Sequence, residues 1–192
     1  MPTAVLWLQG ITLVWMLAET AVSLYSAQKA RSVALLAFGS DSLVELLSAS
    51  VALLSFIPTV SFSKERAERW AGILLFALAG VVTLTATTSL LFRILAEASC
   101  LGIGLTVAAI FVMPLLAWGK RKVAKATNSR AMAADAVQSA TCAYLAALTI
   151  AGLGINAVFH IHWVDSAAAL AAVPILIIEG RRAMRGEGCG CH

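Results

Sequence analysis

Stretches of about twenty apolar residues recur six times along this chain, and that recurrence selects a lipid bilayer as the solvent. They run Val5–Ser26, Val33–Ile57, Trp70–Phe92, Cys100–Trp118, Ala131–Ile155 and Trp163–Ile178. Lipid offers no water to an open backbone group, so a spanning segment is either a helix or part of a closed barrel. Barrel strands alternate apolar and polar residues over short segments, and these stretches do not alternate. The expected fold is all-α, a six-helix transmembrane bundle. Of the 192 residues, 60% are hydrophobic and 12% charged. An aqueous domain of this length would carry about 25% charged residues.

Charges collect between the spans. Lys29 and Arg31 fill the first connection, Lys64-Glu65-Arg66 the second, and Lys120-Arg121-Lys122 with Lys125 and Arg130 the fourth. Counted on alternate sides, Lys64, Arg66, Arg69, Lys120, Arg121, Lys122, Lys125, Arg130, Arg181, Arg182 and Arg185 fall together, against Lys29, Arg31 and Arg93. The positive-inside rule then predicts both termini in the cytoplasm. The net charge of +4 is read as this topology signal, with contact to anionic lipid, and not as a nucleic-acid footprint. The start Met1-Pro2-Thr3-Ala4 has no basic region or small-residue cleavage site, so a removable signal peptide is not expected. The predicted organisation is a six-span domain over 1–180 and a short cytoplasmic tail over 181–192, multi-pass in the plasma (inner) membrane. Internal repeats are not evident. Four scattered cysteines do not form a disulfide framework.

Charged side chains inside such spans carry the functional information, because each costs roughly 2.5–3.5 kcal/mol at a helix centre. Asp41 and Glu45 lie in the second span, four residues apart and so on one helical face. Two carboxylates there repel each other in a poor solvent, and a cation or protons would relieve the repulsion. A protonated, purely structural pair is the alternative. In the fifth span Asp135, Gln138 and Cys142 follow at spacings of three and four, again along one face. Asp41, Glu45, Gln138 and Cys142 together make a candidate four-ligand metal site. Cys142 is otherwise a small buried residue, and Gln138 otherwise interhelical hydrogen-bond glue. Asp135 and Glu19 are read as a proton or ion pathway, or as carboxyls paired within the bundle. The tail Cys189-Gly190-Cys191-His192 gathers two thiols and an imidazole that could collect a soft ion, or form only a frayed end. Asp165 is read as an N-cap at a helix start, His160 and His162 as incidental loop histidines and Cys100 as packing. Pro114 and Pro174 are read as bends that a bundle tolerates.

Three stretches resemble the transmembrane domain of the cation diffusion facilitator family, which exports divalent metals, usually zinc, in exchange for protons. The second span reads Ala34-Leu35-Leu36-Ala37-Phe38-Gly39-Ser40-Asp41-Ser42-Leu43-Val44-Glu45, with the family's four-residue acidic spacing. The fifth opens on Arg130 and continues Ala134-Asp135-Ala136-Val137-Gln138, similar to the family's Ala-Asp-x-x-His followed by Asp. The sixth opens Trp163-Val164-Asp165-Ser166-Ala167-Ala168 and closes Glu179-Gly180, similar to its Trp-x-Asp-Pro start and Glu-Gly end. Where the family has His and Asp, this chain has Gln138 and Cys142, and Glu45 stands where Asp is usual. A thiol in place of an imidazole softens the site. Zinc is the cargo the resemblance implies, and the substitution admits cadmium, mercury, copper(I) or iron(II). The resemblance is to the transmembrane part alone, and the family's cytoplasmic metal-binding domain is not expected after the sixth span.

These readings converge on a secondary transporter, not an enzyme. It would export a divalent or soft metal cation by proton antiport through a site between the second and fifth helices. Its partners would be the cation, protons, the bilayer and a second copy in a homodimer, with no prosthetic group. The alternative is a non-transporting membrane metal sensor or partner-binding subunit of the same fold. A redox enzyme built on Cys142 and the tail thiols lacks a Cys-x-x-Cys or cofactor fingerprint.

Overall fold

The computed structural model describes residues 2–54, 64–94, 96–97, 99–127 and 130–185. They form six helices: α1 Pro2–Ala30, α2 Val33–Leu54, α3 Lys64–Leu91, α4 Cys100–Thr127, α5 Arg130–Phe159 and α6 Trp163–Met184. Among the described residues there is no strand, as the non-alternating apolar runs require. Among the described residues, α1, α3, α4, α5 and α6 each hold a stretch long and apolar enough to cross a membrane. They turn Trp7, Ile11, Val14, Leu17, Leu84, Phe111, Leu115 and Val158 outward, an apolar surface too extensive for water.

α2 is the innermost helix. It packs against α1, α3, α5 and α6, and Val33, Ala34, Leu35, Ala37, Phe38, Gly39, Asp41, Ser42, Val44, Glu45 and Ala49 are all buried. Its inner face meets side chains instead of lipid, while Leu43 and Leu47 face outward, which is why two carboxylates can be accommodated on that inner face. The chief apolar cluster around it draws Met16, Phe38, Val44, Leu75, Met113, Leu116, Cys142, Leu145 and Leu176 from all six helices.

Small residues set the helix separations, as expected where van der Waals packing replaces hydrophobic collapse. A Cβ on Gly39 would run into Ser23 Oγ, between α1 and α2. A Cβ on Gly72 would sit 2.5 Å from Met184 Cγ and 2.9 Å from the Gly180 carbonyl, between α3 and α6.

One end of the bundle is tied by polar contacts. Asp165, in the first turn of α6, does not cap its own helix; residue 162 holds that position without a side-chain bond. Its carboxylate instead accepts from Ser32 Oγ at 2.6 Å and from the Val33 and Ala34 amides at 2.8 and 3.3 Å. Asp165 therefore caps α2, filling orphan N–H groups of a neighbouring helix. At the same end Glu97 N donates to Ala30 O, and Asn156 Nδ2 donates to Ala96 O. Arg31, Arg93 and His160, just past the ends of α1, α3 and α5, take positive φ values of 50°, 51° and 55°, the left-handed turn that commonly closes a helix.

Helix ends extend beyond the apolar runs. α4 continues past Trp118 to Thr127 and α5 reaches Phe159, so the basic residues 120–125 belong to a helix and not to a connection. α6 likewise runs through Arg181 and Arg182. Hydropathy marks where side chains stop being apolar, whereas backbone hydrogen bonding continues into the charged turn.

Candidate functional site

The inward stripe of α4 is Thr106, Ala109, Met113, Leu116 with Ala117, Lys120 and Ala124, all buried and spaced by threes and fours. Lys120 thus falls on the core face, while Arg121, Lys122 and Lys125 are exposed. Its side chain is fully enclosed. The ammonium donates to Ser139 Oγ at 2.7 Å, Asp135 Oδ1 at 3.0 Å and Glu45 Oε1 at 3.5 Å. Ser139 Oγ donates in turn to Glu45 Oε1, and Gln9 Nε2 donates to Asp135 Oδ2 at 2.9 Å. α1, α2, α4 and α5 therefore meet in one buried polar network, held by two charge-assisted pairs.

A second group of acids adjoins it. Glu19 of α1 accepts at Oε1 from Ser42 Oγ (2.6 Å) and from the Cys142 thiol (3.3 Å), and at Oε2 from Trp15 Nε1. Asp41 is fully buried, and neither of its oxygens has a hydrogen-bond partner among the described residues; Glu45 Oε2 is likewise unpartnered. Glu179 of α6, Glu45 and Glu19 all act on Asp41 as like charges. Glu179 itself is half-buried and lies within reach of Thr141 and Arg182. The bundle interior thus holds Glu19, Asp41, Glu45 and Asp135, with Glu179 half-buried, and among the described residues Lys120 is the one enclosed cation. Were every carboxyl ionised, that charge would be uncompensated in a medium that tolerates little of it. Protons or a cation must supply the balance.

Of the residues singled out from the sequence, Asp41 and Glu45 do share the inner face of α2, and Glu19 and Cys142 join them. The four expected ligands do not assemble into one coordination set. Gln138 is half-buried and enters none of these hydrogen bonds; Ser139 beside it points into the centre instead. Cys142 is bonded to Glu19 and lies 3.8 Å from Ser42 Oγ. Among the described residues no group of three or more His, Cys, Asp or Glu side chains is arranged to hold a metal ion. Asp135 pairs with Lys120 and Gln9. Cys100 is exposed, not packed, as is His160, while a ring nitrogen of His162 lies 3.1 Å from Ala96 O. Cys189, Cys191 and His192 lie outside the described residues.

Lys120, Ser139, Gln9 and Glu179 belong to the site without having stood out as candidates. Lys120 was legible as the next member of the stripe begun by Ala109, Met113 and Leu116, had the helix been continued into the basic run. Glu179 follows Ala172 and Leu176 on α6 in the same way. Neither the family models nor the curated proteins contain a match to this chain.

Proposed function

We propose that this chain is a secondary transporter that carries a metal cation across the membrane in exchange for protons, through the acids gathered on α1, α2, α5 and α6. The observation that carries the reading is on α2: both oxygens of Asp41 and one of Glu45, a turn apart, are buried and have no hydrogen-bond partner among the described residues. Carboxylate oxygens so placed gain most from a proton or a cation, and either one satisfies what the other leaves. Loading a cation then releases protons, and protons arriving from the opposite side expel it. Access alternates when the helices bearing the site shift against the others. The resemblance to cation diffusion facilitators supports the same reading and makes zinc the first cargo to try, exported from the cytoplasm, with α2 as a sixth span.

The buried Lys120 favours a second reading. An ammonium already paired with Glu45 and Asp135 suits a structural or metal-sensing subunit that completes no transport cycle. Reconstitution separates the two. In sealed proteoliposomes, the transporter moves zinc, cadmium or iron(II) at a rate that rises with an opposing proton gradient, and Asp41→Asn abolishes the movement. Flux that ignores the proton gradient removes the exchange from the proposal. Binding without any flux makes the second reading the right one.

A further inference from the structure

Resting on that reading, we propose that the metal cargo and the Lys120 ammonium are alternative occupants of one three-oxygen site, formed by Glu45 Oε1, Asp135 Oδ1 and Ser139 Oγ. An ammonium has three hydrogens to donate, and these three oxygens lie within hydrogen-bonding distance of it, at 3.5, 3.0 and 2.7 Å. With the lysine side chain fully enclosed, these contacts take the place of water around its head group. The arrangement is a cation site whose present occupant is tethered to α4.

The chemistry of the site sets the class of competitor. Two carboxylates and a hydroxyl form an oxygen-only set, suited to a divalent cation that accepts carboxylate ligands, such as manganese or zinc. Glu45 Oε2, unpartnered among the described residues, is a further oxygen of the same carboxylate. Cys142 is not needed, because its thiol is engaged with Glu19. A monovalent ion offers no more charge than the ammonium it must displace, and a tethered group competes at high effective concentration. Sodium and potassium are therefore excluded, while a dication matches the two carboxylates better. The lysine stem has four flexible bonds. Once displaced, its head group can turn toward the end of α4, where Arg121, Lys122 and Lys125 are already exposed. When cargo leaves, Lys120 returns and keeps the acids compensated.

Amine acylation of the purified full chain, read by peptide mass spectrometry, tests the exchange without any substitution. Lys120 resists the reagent in the absence of divalent ions, and saturating Mn²⁺ or Zn²⁺ speeds its labelling at least tenfold while Na⁺ does not. The exposed Lys122 and Lys125 label equally throughout and serve as internal controls. Lys120 that stays protected while Mn²⁺ is bound, as counted by electron paramagnetic resonance, overturns the proposal and leaves the transport reading standing. As a second arm, Lys120→Gln binds Mn²⁺ at least tenfold more tightly than the wild type, and adding Ser139→Ala reverses part of the gain. Unchanged or weaker affinity in a folded Lys120→Gln protein also overturns it. If neither protein binds any divalent ion, the transport reading and this inference fall together.

Discussion

Replacing Lys120 by Met keeps the length and apolar stem of the side chain and deletes only its charge and donors. With Nζ 3.0 Å from Asp135 and 3.5 Å from Glu45, Coulomb's law at an effective dielectric of about 20 gives gross attractions of about 5.5 and 4.7 kcal/mol. Desolvation of the three charged groups offsets most of this in the wild type. The variant loses the attraction but leaves both carboxyls enclosed and facing one another. Breaking buried pairs in this way costs about 3–5 kcal/mol, or roughly 6–20 °C in melting midpoint for a chain of this size. Thermal unfolding in detergent micelles measures it. The triple variant Lys120→Met, Glu45→Gln, Asp135→Asn removes the stranded acids as well and recovers at least half of the loss. A single variant within about 1 kcal/mol of wild type would refute the enclosed ion cluster, since it would mean that Lys120 extends to water and pairs with neither acid.

Two further substitutions probe how the bundle is held. Asp165→Ala strips three hydrogen bonds from the start of α2 and should cost about 2–4 kcal/mol, against about 1 kcal/mol for Ser32→Ala; equal melting midpoints for Asp165→Ala and wild type would contradict the cross-helix cap. Gly39→Ala drives a methyl onto Ser23 and should cost about 1–3 kcal/mol by overpacking, with Ser23→Gly in the same chain restoring part of it. No loss in the single variant would mean that α1 and α2 are farther apart than described.

Much of this arrangement was legible because acids stand out against an apolar background. Asp41, Glu45 and Glu19 are conspicuous in the sequence for the same reason that they are costly in the fold. Lys120 is inconspicuous for the opposite reason, being the first of three consecutive basic residues that look like a solvated turn. Only its register on the α4 stripe separates it from Arg121 and Lys122. On α5, spacings of three and four connect Asp135 to Cys142 through either Gln138 or Ser139. The amide is the more familiar polar partner, yet the buried series Met132, Asp135, Ser139, Cys142, Leu145 turns the hydroxyl inward. The role of Asp165 could not be read locally at all, since an N-cap residue in one helix and a cap donated to another carry the same sequence mark. The central place of α2 depends on which helices pack together, and six similar apolar runs do not encode that individually.

On the proposed mechanism, cations and protons exchange at the α2 carboxyls. This exchange is tested most directly by adding Zn²⁺ or Mn²⁺ to sealed proteoliposomes with no imposed pH gradient and following lumenal pH with an entrapped dye. Entry of the metal should drive protons outward at a rate proportional to metal flux in the wild type, and Asp41→Asn should abolish both. Metal entry with no accompanying proton movement, or exchange that survives Asp41→Asn in full, would contradict the account.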